Sequence, residues 1–151
     1  MTVRHYVEIV LSIPDNEART ALAVLQRLGL GVTELERVDV YRFDVDASEA
    51  GTLTERLRSI ETIFNPSKHI MRERTSAGPG PGELWVEEAF PASAGTVPRF
   101  AGRVLRGVSG FGRLTSWRMR GRGGEAADER LVAEAARTLL CNAAFQKGTA
   151  A

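Results

Sequence analysis

The chain has 151 residues, 43% of them hydrophobic and 26% charged, and a net charge of +1. That balance belongs to a folded globular chain and excludes a disordered tail or a collagen-like repeat. It points to neither nucleic acid nor a membrane surface as a partner. Charge interrupts every apolar run, as Glu8 does within residues 6–11, so none reaches the about 20 residues of a bilayer span. Residues 1–14 lack the basic start and apolar run of a secretory signal and alternate like a strand, which makes a cytoplasmic location the expectation. Cys141 is the sole cysteine and excludes an internal disulfide. With only His5 and His69 beside it, a closed zinc site is not expected, and neither is a cofactor.

The charge is unevenly placed. Residues 1–75 carry ten basic and twelve acidic side chains, residues 76–151 ten and seven. Between positions 99 and 122 stand seven arginines (99, 103, 106, 113, 118, 120 and 122) and no carboxylate. Such a run can hold phosphates or an acidic partner, but a solvated face is the commoner outcome.

In chain order, residues 3–13 alternate and predict a strand with Val7, Ile9, Leu11 and Ile13 on one face. Ala18, Ala21, Leu22, Leu25 and Leu28 then recur at helical spacing. Asp15 or Asn16 can cap this helix, and Gly29 and Gly31 can end it. Residues 32–45 read as a strand pair, with Val38, Val40 and Phe43 inward and a tight connection near Asp39. A second helix carries Leu53, Leu57, Ile60 and Phe64, with a capping box at Thr52 and Glu55 or an earlier start at Ser48. Asn65-Pro66 ends it, and residues 68–71 form a closing strand. Thr75-Ser-Ala-Gly-Pro-Gly-Pro-Gly82 favours neither helix nor sheet, so residues 76–82 are a linker. Residues 84–90 predict a strand. Residues 96–106 predict a helix presenting Val97, Phe100, Ala101, Val104 and Leu105, and residues 111–122 resume strand character through Leu114, Trp117 and Met119. The last helix, capped by Asp128, presents Val132, Ala135, Ala136 and Leu139 and ends near Asn142.

The two halves share this grammar. Val7-Glu8 answers Val86-Glu87, Val24-Leu25 answers Val104-Leu105, Gly31-Val32 answers Gly110-Phe111 and Asn65 answers Asn142, at spacings between 77 and 80 residues. The chain therefore reads as α+β, with two β-α-β-β-α-β units in tandem over residues 1–75 and 83–151. The last strand of the second unit is short or missing. That element order folds as a ferredoxin-like plait, an antiparallel sheet with its helices on one face. The opposite face of the first strands then offers a partner surface: Tyr6 and Val10 in one unit, Trp85 and Ala89 in the other. Arg99, Arg103 and Arg106 of the basic run join them as candidate interface residues.

No catalytic constellation emerges. Gly107-Val-Ser109-Gly110-Phe111 has phenylalanine where a nucleophile elbow has its second glycine, and reads as a helix-ending turn. Gly121-Arg-Gly-Gly124 is too short for a dinucleotide fingerprint. His5 and His69 have no ligand partner at metal spacing. Cys141 at a helix C-terminus meets a dipole that raises a thiol's pKa. Glu34, Glu36, Asp39, Asp44 and Asp46 alternate as on the solvent side of a sheet.

Leu28-Gly29, Gly31-Val32 and Asn65-Pro66, set within Leu25-Gln-Arg-Leu-Gly-Leu-Gly-Val and Ile63-Phe-Asn-Pro-Ser-Lys-His-Ile70, resemble the PurS family. These proteins are small subunits of phosphoribosylformylglycinamidine synthase in purine biosynthesis. Leu139-Leu-Cys-Asn142 resembles the same helix end, with Ala143 in place of proline. The resemblance implies a non-catalytic subunit of an ATP-dependent glutamine amidotransferase complex. Its partners would be the glutaminase and synthetase subunits, between which it would support ammonia transfer, and a tandem copy would correspond to a joined pair of family members. Homo-oligomerisation through the sheets is compatible with it. A tandem ACT-like module that binds amino acids is the alternative, although the loop after the first strand, Pro14-Asp-Asn-Glu17, lacks the glycine such modules favour. An RNA-binding plait comes third, because the aromatic cluster it needs on the open face is absent from the pattern.

Overall fold

A computed structural model describes residues 1–88, 99–100 and 103–151, with the side chains of residues 99, 100, 103 and 104 outside that description. The elements run β1 (Thr2–Leu11), α1 (Asn16–Arg27), β2 (Glu34–Asp46), α2 (Ala47–Arg58), β3 (His69–Arg74), β4 (Glu83–Glu88), β5 (Arg99–Phe100), β6 (Arg103–Val104), β7 (Val108–Arg120), α3 (Glu129–Ala135) and β8 (Gln146–Ala150). A six-stranded sheet has the order β3-β1-β2-β7-β4-β8, and β5 pairs with β6 apart from it. β1 pairs antiparallel with β2, Val7 opposite Tyr41, and with β3, Ile9 opposite Met71. β4 does the same with β7, Leu84 opposite Trp117, and with β8, Trp85 opposite Thr149.

The chain divides into two units. The first comprises residues 1–13, 39–77 and the described part of 91–113. Its core forms where Val7 and Ile9 of β1 and Tyr41, Phe43 and Val45 of β2 meet Leu53 and Leu57 of α2, closed by Ile63, Phe64, Met71 and Val108. The second comprises residues 14–38, the described part of 78–90, and 114–151. There Leu84 and Val86 of β4 and Met119 of β7 pack under Leu25 of α1 and under Val132 and Ala135 of α3, with Leu30, Val32 and Leu140 completing the core. In each unit the alternate residues of the strands face away from the helices.

Local chemistry explains the helix limits. Asp15 accepts from the Glu17 and Ala18 N–H groups at 3.0 and 3.2 Å and starts α1. Gly29, at φ +87°, turns the chain out of it as Leu30 N–H reaches back to the Leu25 carbonyl at 3.1 Å. Asp46 caps α2 through the Ser48 N–H, one residue before the alanine that opens it, so neither Thr52 nor Ser48 is the cap. Asp128 caps α3 by accepting from the Leu131 N–H at 2.8 Å.

Three expectations are corrected. The strand pair over residues 32–45 is one strand: no turn interrupts β2, and Asp39 pairs opposite Ile9 within it. Glu34 to Asp46 contains no Gly, Pro or Asn, the residues that supply turn backbone, while Val, Tyr and Phe favour extension throughout. The helix expected over 96–106 is absent from its described part. Arg99–Phe100 and Arg103–Val104 are paired strands and Leu105 and Arg106 lie outside any helix, while the rest of that prediction, like positions 89 and 90, lies outside the described residues. Pro98 and Gly102 lower helix propensity at that point, which apolar spacing alone does not register. Third, Leu139 is 41% exposed and Leu140 is 7% exposed. α3 passes into a π-helical turn over Ala136–Leu140, closed by the Cys141 N–H on the Ala136 carbonyl at 3.0 Å. The extra residue in that turn moves the inward position on by one.

The chain also builds one turn twice. After α2, Asn65 Oδ1 accepts from the Ser67 N–H at 2.9 Å, and its carbonyl accepts from the Lys68 and His69 N–H groups at 3.0 and 2.8 Å. Its own N–H donates to His69 Nδ1 at 2.9 Å. After the π-helical turn, Asn142 Oδ1 accepts from the Ala144 N–H at 3.0 Å, and its carbonyl accepts from the Phe145 and Gln146 N–H groups at 3.0 and 2.7 Å. Its own N–H donates to Gln146 Oε1 at 2.9 Å. Donors and spacing coincide, with a ring nitrogen and an amide oxygen as the two side-chain acceptors at the fifth position, and each turn delivers the chain into the strand beside the first strand of its half, β3 or β8.

The π-helical turn makes a direct prediction. Leu140→Ala will destabilise the protein by about 2–5 kcal/mol, the range for a buried leucine, whereas Leu139→Ala will change it by about 0.5 kcal/mol or less. Urea denaturation of the two variants checks this, and equal losses would place both leucines in the core.

Candidate interaction site

The residues expected to meet a partner are scattered. Tyr6 and Trp85 are each 7% exposed and Val10 is half-buried, so the first two offer little area to a second molecule. Arg106 is exposed and pairs with Glu49 at 2.9 Å. Arg99 and Arg103 lie on β5 and β6.

The basic run is also dispersed, and four of its members meet carboxylates from earlier in the chain. Arg113 meets Asp39 at 3.2 Å with its guanidinium over the Tyr41 ring, Arg118 meets Glu83 at 3.3 Å, and Arg120 meets Glu34 at 3.6 Å. Asp44 pairs with Arg4 at 2.9 Å. Most of the alternating carboxylates of β2 are therefore spent on arginines. Asp46 is spent on the α2 cap, where the Ser48 N–H and hydroxyl hold its carboxyl below the usual range. Burial pushes the Tyr41 phenol up, against the pull of Arg113.

The other candidates resolve into structural roles. Ser109 lies in extended strand, its hydroxyl 3.4 Å from the Asp44 carbonyl, and Gly107 at φ +79° turns the chain into β7 without a helix before it. A Cβ at Gly110 would stand 2.6 Å from Asp44 Oδ2, and one at Gly112 would stand 2.6 Å from Arg42 Nη2. Those glycines leave room for two β2 side chains to lie across β7. His5 Nε2 sits 3.3 Å from Thr54 Oγ1, which donates to Glu73. Burial pushes the Cys141 thiol up, away from the reactive thiolate. Among the described residues no three His, Cys, Asp or Glu side chains gather as a metal site would require.

A cleft in the second unit is what remains. It runs along α1, with a volume of about 480 Å³. Its walls are Ala21 and Val24 of α1, Trp117 of β7, and Leu139 and Leu140 of the π-helical turn; Asn16, Glu17 and Thr20 form its polar end. A second depression on the adjoining face of α1 shares Asn16, Thr20 and Val24 with it and adds Arg19, Ala23 and Arg27. The residues are placed by two sequence signals: the Asp15 cap, which sets the rotation of α1, and the π-helical turn, which turns Leu139 outward. Trp117 was legible as a packing residue. The cleft itself was not, because it depends on that extra residue.

No family model matches the chain, and no curated protein is similar to it at a significant level.

The duplicated turn carries a pH prediction. His69 Nδ1 accepts a hydrogen bond, which requires the neutral ring, and burial with help from the Lys68 charge lowers the His69 pKa below its usual 6.5. A folded-state pKa below the unfolded one stabilises the fold fully above the unfolded value, and that contribution is lost as pH falls through the folded value. Stability will therefore fall from pH 7 toward pH 5 by more in the native chain than in His69→Gln, which installs the acceptor of the second turn. Urea midpoints across that window measure the difference, and parallel curves would remove His69 as the cause.

Proposed function

We propose that this chain is a non-catalytic scaffold subunit, built as two PurS-like plaits in tandem, that bridges the glutaminase and synthetase subunits of phosphoribosylformylglycinamidine synthase. The observation that carries the reading is the pair of asparagine turns, matched in four hydrogen bonds and placed at equivalent points of the two halves. One of them is the Asn65-Pro66 helix end on which the resemblance to the family rests. The strand order supports it as well, since β3-β1-β2 and β7-β4-β8 repeat one arrangement of first, long and last strand. In each unit helix packs on antiparallel strands, α2 in the first and α1 and α3 in the second, with the long strands β2 and β7 in place of the expected hairpins. The arginines of the basic run that meet carboxylates within the chain are accounted for by the fold. A chain of this kind acts by presenting surface.

The reading predicts that the chain co-purifies with the glutaminase and synthetase subunits. Omitting it from the reconstituted enzyme will abolish synthesis with glutamine while leaving synthesis with free ammonia, because only the former needs ammonia passed between subunits. Undiminished glutamine-dependent activity without this chain would end the assignment.

A further inference from the structure

We propose that the cleft beside α1 is a docking groove for an acidic amphipathic helix of a partner protein, its apolar stripe on Trp117 and Leu139 and its carboxylates on Arg19 and Arg27. The proposal deepens the scaffold reading, resting on it only for the existence of a partner.

Two observations meet here. The first is apolar surface left open. The π-helical turn buries Leu140 and leaves Leu139 41% exposed beside the half-buried Trp117 and Val24. The cleft lies open along α1, a shape that suits a rod laid lengthwise and that would leave a compact small molecule largely in solvent.

The second is uncompensated charge of one sign. Arg4, Arg37, Arg106, Arg113 and Arg120 each meet a carboxylate of the chain. Arg19 and Arg27 meet none among the described residues, and both are exposed. The acids at this end of α1 are already committed: Asp15 caps the helix and pairs with Arg37 at 2.9 Å, and Glu17 pairs with the same guanidinium. The rim is therefore positive, which selects an anionic occupant and raises its rate of encounter.

Spacing narrows the occupant further. Arg19, Ala23 and Arg27 form a row at four-residue steps, next to the Thr20 and Val24 row that lines the cleft. At a rise of about 1.5 Å per residue the two arginines stand about 12 Å apart along the axis. Carboxylates seven or eight residues apart on a helix lying alongside would span the same distance, one at each guanidinium. An apolar stripe at three- and four-residue steps between them would fill the groove.

The test is a titration of the isotopically labelled full chain with a synthetic helical peptide bearing leucines at that spacing and glutamates seven residues apart. The Trp117 indole N–H and the amides of residues 16–27 and 139–140 will shift, while the Trp85 indole will not. Affinity will fall at least tenfold in Arg19→Glu/Arg27→Glu and in a peptide with lysine for glutamate, the unperturbed remainder of the spectrum confirming that the variant is folded. Absence of shifts at millimolar peptide would overturn the proposal. So would equal binding of the lysine peptide, or a response to anionic phospholipid vesicles without one to the peptide. Peptide binding by a chain that fails to co-purify with synthase subunits would uphold the groove and sink the synthase assignment. Co-purification by a chain blind to the peptide would sink the groove alone.

Discussion

Strand β2 extends from Glu34 to Asp46 without a glycine, proline or asparagine, and its backbone pairing commits both of its ends. At one end Tyr41, Phe43 and Val45 supply the apolar side of the first unit's core, with the Phe111 ring tilted against those of Tyr41 and Phe43. At the other, Val32 just before the strand and Leu35 within it serve the core of the second unit. A one-residue slip in register would exchange the faces of Phe43 and Asp44 and expose one core while burying charge in it. The carboxylates that alternate with its apolar residues are then available to pair with arginines from later in the chain.

That pairing decides what surface is left for recognition. Sequence alone shows an arginine-rich stretch with no acid in it, but the carboxylates that answer it lie on β2, α2 and β4. Exposed pairs of this kind contribute little to stability, about 0–1 kcal/mol each. Their effect is to offset the charge of four arginines of the run, while Arg19 and Arg27 of α1, a helix whose composition attracts no attention, keep theirs. Charge density along the chain and charge available at the surface are different quantities here.

The features legible in the sequence are those enforced by neighbours within a few positions. Asp15 and Asp128 as caps, Gly29 as a left-handed exit, and Asn65 and Asn142 as equivalent helix ends follow from the chemistry of short side chains and of glycine near free backbone groups. What escaped depends on longer range. The hairpin expected near Asp39 came from the fold the pattern suggested, with no glycine, proline or asparagine beside that aspartate to support a turn. The inward place of Leu139 followed from a regular helix, and the π-helical turn that displaces it is stabilised by packing around Leu140. The groove beside α1 combines that turn with a strand residue and a helix roughly a hundred positions earlier, so no local rule reports it. Residues 99–100 and 103–104 show the limit of spacing as a signal, since apolar residues at helical spacing there lie in paired strands.

Gly110 and Gly112 present backbone alone where Asp44 and Arg42 cross above them. The chemistry displayed over that part of β7 is thus borrowed from the adjacent strand, and the two positions are constrained without contributing any functional group. A side chain at Gly112 would push aside the Arg42 guanidinium, and one at Gly110 the Asp44 carboxylate, so a replacement at either would be felt through its neighbour. Their role is to be low enough for a neighbour's side chains to be seen.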